Sequence, residues 1–444
     1  MKKLVIVAFA LLLMLPALSY AGSATSRWDM TIGGYVAFDY GYANQQAGAD
    51  YKAGVRESGS KQNIDAEFNN WYAKVSETRL NFLVLGPDAF GAKTRAFIEY
   101  DFQGSSTGGS YVQGGASLRH AYVRMDWAND QLLFGEFWTG WLGGTPPLGL
   151  IGWNLPAFGK SNRVPQMRWT HQFGPTFKTI LGIEYQGRQF ANYTNSLGAL
   201  GQNYVDAYTR SDIPNLFGVV EYTSGACGKI GPQQLLFGAG GYYGRAKYVT
   251  NAATGVLDNA GNAQRFSSDN EDSWSAVVYT YIPIIPEKNN NKAGALGFTA
   301  GFGWGQNGGY ENPWNPAAFQ RPDGSFVPPA GGGFWAGAFF YFTDSFFMAP
   351  TWSTQWMNVS NAWRNATVNN ALLPAGSAAN PDTVIREDMY NLAFFYDVNP
   401  ALRFGAEFSS LYNKFAAPGY VNGVQSYQTY GTLNTARFRV TYFF

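Results

Sequence analysis

Residues 434–444 read NTARFRVTYFF, and the side chains of this segment alternate between two characters. Four apolar side chains share one parity: Phe438, Val440, Tyr442 and Phe444. Arg437 and Arg439 share the other parity. Because successive side chains of a β-strand point to opposite faces, the segment predicts a strand with one apolar face and one charged face.

The same alternation recurs along the chain, most regularly in residues 294–305. There Leu296, Phe298, Ala300, Phe302 and Trp304 take one face, and Gly297, Thr299, Gly301, Gly303 and Gly305 take the other. Short turns and long Gly-, Asn-, Ser- and Pro-rich loops separate such segments in alternation. Sixteen strands are predicted, with fourteen or eighteen as alternatives: 29–42, 74–86, 93–103, 117–128, 131–138, 163–173, 176–186, 213–223, 233–245, 272–284, 293–305, 333–343, 346–358, 386–398, 401–411 and 434–444.

The composition indicates where such strands lie. Aromatic residues make up 17% of the chain and 53 residues are glycine. No segment after residue 21 approaches the roughly 20 apolar residues that a membrane helix needs. Alternating, aromatic-rich strands without membrane helices are typical of outer-membrane barrels. We therefore expect an all-β fold, a transmembrane antiparallel β-barrel with short periplasmic turns and long extracellular loops.

A soluble β-sandwich is the alternative, but its outer face would expose aromatic side chains to water. In a barrel, the apolar face of residues 434–444 meets lipid, and Arg437 and Arg439 meet water inside. The last strand is expected to pair with the first, because an open edge would leave backbone groups unpaired in hydrocarbon.

The first residues predict a secretory signal peptide. Lys2 and Lys3 precede an apolar run, residues 4–15, and Ser19-Tyr20-Ala21 is a small-residue cleavage site. An uncleaved helical anchor is the alternative, but the run is short for a membrane span. Residues 1–21 are therefore the expected signal peptide, and residues 22–444 the expected barrel domain.

Charge and cysteine content exclude several classes of protein. The 31 basic and 30 acidic residues nearly cancel, so no nucleic-acid partner is expected. Cys227 is the only cysteine, which excludes an internal disulfide and a four-cysteine iron–sulfur cluster. The sequence predicts no cofactor, no metal site and no catalytic residue.

Five segments carry a resemblance to a known family. Residues 77–82 and 93–100 look like the second and third strands of bacterial trimeric porins. Residues 117–124 and 131–138 resemble the arginine-bearing and glycine-containing strands before the pore-constricting third loop of those porins. Residues 163–169 are similar to the DcaP-like branch of the superfamily.

The resemblance implies a homotrimer in the bacterial outer membrane whose third loop folds into the lumen. It also implies that Tyr442 and Phe444 form the assembly signal read by the barrel-assembly machinery.

Two features of the chain depart from the family. The third loop, residues 139–162, has no acidic residue and only one charge, Lys160, and is rich in apolar residues that include Trp141 and Trp153. The helical periplasmic segment of the DcaP-like branch is not visible between residues 22 and 28.

Candidate pore-lining residues lie on the strands beside this loop and in the loop itself. They comprise a ladder of arginines with two acidic residues, and three residues of the loop: Arg79, Arg95, Arg119, Arg168, Glu99, Asp101, Trp141, Trp153 and Lys160. Arginine stays charged and presents a rigid fork to carboxylates and phosphates, so the ladder favours anionic solutes. In the alternative, the guanidiniums pair with Glu77, Glu99 and Glu136 and hold the wall together. The parity of Arg119 is shared with Val123, so its direction stays open.

A barrel of about sixteen strands is wide enough for an aqueous channel. We therefore expect an outer-membrane porin for passive diffusion of small hydrophilic solutes, favouring organic or aromatic anions. A third loop that packs against the wall or a neighbouring subunit is the alternative to an aromatic constriction. The other functional alternatives are a transporter of hydrophobic compounds, a barrel enzyme using His120 or His171 as base, and a structural barrel with a blocked lumen.

Overall fold

The computed structural model describes the strands and the parts of the connections that lie against them. The described residues are 29–45, 69–104, 115–142, 148–151, 163–185, 213–251, 266–306, 319–320, 326–327, 330–358, 384–415, 419–421 and 424–444. The expected signal peptide lies outside these residues. None of the helices within the described ranges is long and apolar enough to cross a membrane.

The described residues form twenty-one strands and one short 3-10 helix, η1 (Gly140–Leu142). The strands are β1 (Asp29–Ala43), β2 (Asn70–Lys74), β3 (Arg79–Leu85), β4 (Lys93–Gly104), β5 (Gly115–Asp126), β6 (Asp130–Trp138), β7 (Arg163–Phe173), β8 (Phe177–Glu184), β9 (Asn215–Ile230), β10 (Gln233–Asn251), β11 (Phe266–Ile285), β12 (Leu296–Gln306), β13 (Phe319–Gln320), β14 (Phe326–Val327), β15 (Ala330–Tyr341), β16 (Phe346–Asn358), β17 (Val384–Asp397), β18 (Leu402–Phe415), β19 (Gly419–Val421), β20 (Val424–Tyr427) and β21 (Tyr430–Phe443).

The large sheet closes on itself. Strand β1 pairs antiparallel with β21 on one side and with β2 and β3 on the other. Because β2 and β3 follow one another along the same edge of β1, they act as a single wall strand, and the barrel has sixteen. The hairpins β13–β14 and β19–β20 form separate two-stranded sheets. The predicted all-β antiparallel barrel of sixteen strands is confirmed.

The second wall strand was predicted as continuous over residues 74–86, and this is wrong in its first part. The chain leaves the ladder after Lys74 and makes a turn in which the Thr78 amide donates to the Val75 carbonyl at 3.0 Å. The Thr78 hydroxyl accepts a hydrogen bond from the Ala37 amide at 3.2 Å. This break places the carboxylate of Glu77 beside Lys74.

Two parts of the wall are irregular for local reasons, although β16 has the predicted bounds. Pro350 lies inside β16, and the ladder to β15 is interrupted between the pairs Gly337–Thr351 and Phe340–Met348, opposite this proline. A proline cannot donate to the ladder, which accounts for the gap. The turn predicted over residues 225–231 is shorter, because β9 continues to Ile230 across a register shift opposite Gln234 and Leu235.

The two faces of the wall carry the side chains that the alternation predicts. In β21, Phe438 and Tyr442 are 42% and 53% exposed, whereas Arg437 is buried on the other parity. Beyond this strand, Phe444 is 56% exposed and exchanges backbone hydrogen bonds with Gly34 of β1. The outward face of β1 is likewise apolar, with Ile32 and Phe38 exposed. The outer surface is therefore apolar, as a lipid-facing surface requires.

A buried ion network crosses the seam between β1 and β21 on the inner face. The Arg439 guanidinium donates through Nε and an Nη atom to Asp39 at 2.5 Å, and through an Nη atom to Glu77. The Lys74 ammonium donates to Glu77 at 2.6 Å and lies 3.9 Å from Asp39. Nearby, Arg437 donates to the Tyr72 hydroxyl at 2.9 Å. The first, second and last wall strands are thus held together by side chains as well as by backbone ladders.

Replacing Arg439 with glutamine is expected to destabilise the barrel by about 3 kcal/mol, because it removes one partner of a buried ion network and leaves Asp39 and Glu77 undercompensated. Equilibrium urea unfolding of the refolded protein in lipid vesicles measures the loss. Lys93→Gln is the control, since Lys93 and its partner Asp88 are both exposed and such a pair is worth less than about 1 kcal/mol. Equal losses in the two variants would contradict this assignment.

Candidate functional site

The third loop begins with a fixed attachment to the wall. The Thr139 hydroxyl donates to the Glu184 carboxylate, its oxygen lying 2.9 and 3.0 Å from the two carboxylate oxygens, and the Gly140 amide donates to the same group at 3.0 Å. Glu184 is buried at the end of β8. A charged acceptor strengthens such hydrogen bonds, so the carboxylate directs the chain inward as it leaves β6.

Trp141 of η1 then packs into a cluster of inward-facing wall residues. Its ring lies 5.3 Å from that of Tyr242, and it is 0% exposed. The cluster also contains Leu142, Ile180, Phe217, Val219, Val277, Tyr279 and Trp335. Gly240 is required here, because a Cβ atom on it would overlap the Trp141 carbonyl oxygen. Trp141 therefore packs against the wall instead of facing channel water, which is the alternative that the sequence left open.

The loop reaches a second group of wall strands at residues 148–151. The Ile151 amide donates to a Glu407 carboxylate oxygen at 2.6 Å, 256 positions away in sequence. The Ile151 side chain is buried with Tyr281, Phe339, Phe347 and Phe395, among others. Because these wall residues all point inward, the described parts of the loop lie within the barrel. Trp153 and Lys160 lie outside the described residues.

Arg119 faces the lumen because of a β-bulge. The register between β4 and β5 shifts between Glu99 and Tyr100, so that Glu99 pairs with His120 and Tyr100 with Leu118, and Arg119 is the extra residue. A bulge of this kind reverses the parity of the strand on one side of it. Leu118 and Val123 consequently both face outward and are exposed, whereas Arg119 is buried inside. The bulge therefore sets the direction of the Arg119 side chain, which the alternation of residues alone left undecided.

Arg119 belongs to an upper group of charges. It donates to Glu99 at 2.8 Å and to Asp101 at 2.5 Å. Arg79 lies 3.9 Å from Glu99. A third guanidinium, that of Arg163, lies over the Trp138 ring at 5.2 Å and interacts electrostatically with its neighbours, Arg119, Asp101, Arg79 and Glu136. Contacts with Glu99 and Asp101 thus compensate two of the three guanidiniums of the upper group.

A lower group lies nearer the short-turn end of the barrel. Arg95 lies 2.8 Å and Arg124 3.0 Å from Asp126, which also accepts a hydrogen bond from Gln131. Arg168 lies over the Phe137 ring at 4.6 Å and has Arg124 and Tyr122 as electrostatic neighbours. Arg95 and Arg124 thus share the carboxylate of Asp126, whereas Arg168 has, among the described residues, only Glu221 as an acidic electrostatic neighbour, and Glu221 is paired with Lys178. This part of the wall therefore has an excess of positive charge.

The structure therefore brings together the candidate wall residues on β3 to β7, but they belong to two groups that differ in how far their positive charge is compensated. Arg119 forms ion pairs with Glu99, one of the partners named in the structural alternative, and with Asp101. Arg95 and Arg168 belong to the positive group. Glu77, named in that alternative, pairs instead with Lys74 and Arg439. Arg124 and Arg163 were not among the sequence candidates. Both lie within segments that carry the family resemblance, which was the available signal.

The two histidines have separate surroundings. His120 lies between aromatic rings, 4.9 Å from Phe137 and 5.3 Å from Trp138. His171 shares the outward parity of the exposed Phe173 and lies 2.8 Å from Asp130 through Nδ1. The Asp130 carboxylate also accepts a hydrogen bond from Trp169 at 2.7 Å. The histidines thus lie on opposite faces of the wall.

Comparison with solved structures identifies the architecture. The chain resembles the outer membrane channel DcaP of Acinetobacter baumannii, with a TM-score of 0.67 and 16% identity over 95% of this chain and 99% of that one. The chain has the porin fold. A similar match is the anion-selective porin from Comamonas acidovorans, with a TM-score of 0.53 and 12% identity over 94% of this chain and 100% of that one. In vitro folded OmpT of Vibrio cholerae, in its trimer form, matches with a TM-score of 0.50 and 9% identity over 94% and 100%. No protein-family model and no curated protein sequence matches the chain.

The expected likeness to porin-type outer-membrane barrels is confirmed by these structures, and DcaP is among them. At these identities the likeness establishes the porin fold, while solute, selectivity and assembly depend on the residues of this chain.

Replacing Trp141 with alanine is expected to release the third loop from the wall, because deleting a fully buried aromatic side chain costs about 3 to 5 kcal/mol. Single-channel recording in planar bilayers should then show a noisier current with several conductance levels. Trp352→Ala is the matched control, since Trp352 is exposed on the outward face of β16. An unchanged current in Trp141→Ala would contradict the anchoring role.

Proposed function

We propose that this protein is a porin of the bacterial outer membrane, whose water-filled channel allows passive diffusion of small hydrophilic solutes and favours organic and aromatic anions. The observation that carries the proposal is a closed sixteen-stranded wall with an apolar outer face and a charged inner face. Barrels of this size are wide enough to hold water, and the charges that line a lumen set its selectivity. Residues 1–21 are proposed to direct export and to be removed.

The lower group of guanidiniums supports the anion preference. Arg95 and Arg124 share the carboxylate of Asp126, and the acidic neighbour of Arg168, Glu221, is already paired with Lys178. The excess positive charge of this group attracts anions entering the lumen. The aromatic faces of Tyr122 and Phe137 adjoin Arg168. Guanidiniums beside aromatic rings suit solutes that combine a carboxylate with an apolar body.

The surroundings of the third loop favour an aqueous channel over a hydrophobic transporter. The apolar residues Trp141 and Ile151 are 0% and 2% exposed, so their side chains pack on the wall and offer little apolar surface to a solute. The opposite orientations of His120 and His171 argue against their sharing a catalytic site, and the neighbours by structure are channels.

We further propose that the chain assembles as a homotrimer in outer-membrane lipid after recognition by the barrel-assembly machinery. The trimer form of the OmpT structure supports the first point. The exposure of Tyr442 and Phe444 at the end of the last strand supports the second, because both side chains are accessible to another protein.

Planar-bilayer recording under a potassium chloride gradient tests the function. The reversal potential is expected to show preference for chloride over potassium, and raising the ionic strength should weaken the preference by screening. An inserted, folded protein without conductance would refute the channel, and a preference for potassium would refute the anion selectivity.

Replacing Arg168 with glutamine is expected to lower the chloride-to-potassium permeability ratio by up to about fourfold, since a unit charge about 10 Å away in water stabilises chloride and destabilises potassium by roughly 0.4 kcal/mol each. Arg386→Gln should leave the ratio unchanged, because Arg386 lies on the outward face of β17 and pairs with Asp388. An equal change in both variants would mean that the selectivity does not arise from the lower group.

A further inference from the structure

A recess of about 150 Å³ lies in the inner wall beside the seam, and the Arg79 guanidinium lies 5.3 Å from the ring centre of Tyr35 at its edge. Strands β1, β17, β18 and β21 form its walls, and residues 150–151 of the third loop cover part of it. The lining residues are Tyr35, Leu150, Ile151, Phe395, Arg403, Gly405, Arg439, Thr441 and Phe443. The anchored third loop therefore forms one side of the recess.

Three aromatic rings lie around the guanidinium of Arg403, one of the two arginines that line this recess. The Arg403 guanidinium carbon lies 5.7 Å from the ring centre of Phe395, 5.8 Å from that of Phe347 and 6.0 Å from that of Phe443. The rings of Tyr35 and Phe443 meet edge to face at 5.8 Å. The recess thus combines aromatic walls with a cationic group, an arrangement that attracts the electron-rich face of another ring.

The positive charges of the lining are already compensated. Arg403 donates to Asp397 through two nitrogen atoms, at 2.5 and 2.9 Å. Arg439 is held by Asp39 and Glu77. The carboxylate of Asp397 occupies the edge of the Arg403 guanidinium, and the rings of Phe347, Phe395 and Phe443 lie around it. In contrast to the lower group, the recess has no excess positive charge with which to prefer a carboxylate.

The size and polarity of the recess restrict the class of molecule that it can bind. A protein cavity of about 150 Å³ lined by aliphatic and aromatic side chains holds one benzene ring. Tyr35 and Thr441 add hydroxyl-bearing side chains to the lining, and hydroxyl groups can donate and accept hydrogen bonds.

We propose that this recess binds a single uncharged, electron-rich aromatic ring bearing a hydroxyl group, that is, a molecule of the phenol class. The ring lies among Tyr35, Phe395 and Phe443, beside the guanidinium of Arg403. The inference rests on the proposed function insofar as the molecule reaches the recess through the channel. It adds a site for neutral aromatic solutes to the charge selectivity of the arginine wall.

The test measures inhibition of the ion current by phenol, cyclohexanol and benzoate in planar bilayers. The inhibition that is lost when Phe395 is replaced with leucine is expected to be larger for phenol than for cyclohexanol or benzoate. Phe395→Leu should raise the half-inhibiting concentration of phenol about two- to tenfold, the range for loss of one aromatic pair. Phe347→Leu is the matched control, because Phe347 belongs to the same cluster and contacts Arg403 but does not line the recess.

Two substitutions that preserve shape test the hydroxyl groups. Tyr35→Phe and Thr441→Val should each weaken phenol binding while leaving conductance without phenol unchanged. The proposal is overturned if cyclohexanol or benzoate inhibits through Phe395 as strongly as phenol, or if Phe347→Leu has the same effect as Phe395→Leu.

Conductance and reversal potential recorded before phenol is added report separately on the channel. A conducting, anion-selective protein with no Phe395-dependent phenol effect would overturn the recess alone. For a folded protein that does not conduct, saturation-transfer NMR of phenol with the unmodified protein and with Phe395→Leu decides the question. A signal lost in the variant supports the site, and an equal signal in both overturns it.

Discussion

Backbone pairing in a medium without water is the constraint on which the rest of the structure depends. Each N–H and C=O group within hydrocarbon must have a partner, and the chain satisfies this by pairing β1 with β21 from Tyr35–Phe443 to Ala43–Thr435. Closure gives every wall strand two neighbours and separates an outer face from an inner one. The alternation of apolar and polar side chains follows, since each face has a different solvent.

The enclosed space is then divided by the third loop. Glu184 holds the beginning of the loop and Glu407 holds residue 151, so two carboxylates on distant strands fix a segment that contains no acidic residue of its own. Glycines at 240 and 405 leave space for Trp141 and Ile151 respectively. The apolar side chains Trp141 and Ile151 therefore pack against the wall. The arginines on β3 to β7 remain the groups that face solutes.

Much of the fold could be predicted because its main signal is local. Period-two alternation lies within ten or so residues, so residues 294–305 and 434–444 indicate their faces without knowledge of any partner. Arg119 could not be placed in this way, because the bulge that turns it inward is a property of its pairing with β4. The break that creates β2 and β3 likewise depends on contact with Ala37 of β1. Arg439, which pairs with Glu77, and Glu407, which binds Ile151, lie 362 and 256 positions from their partners, beyond any pattern in the sequence.

The seam has a consequence for the order in which the barrel forms. Arg439 and Asp39 are 400 positions apart, whereas most neighbouring wall strands are joined by a few residues or one loop. Contacts of such large sequence separation carry the greatest loop-closure entropy and form slowly. The ring is therefore completed by its most non-local contact, and the Arg439–Asp39 pair distinguishes a finished barrel from a sheet that is still open.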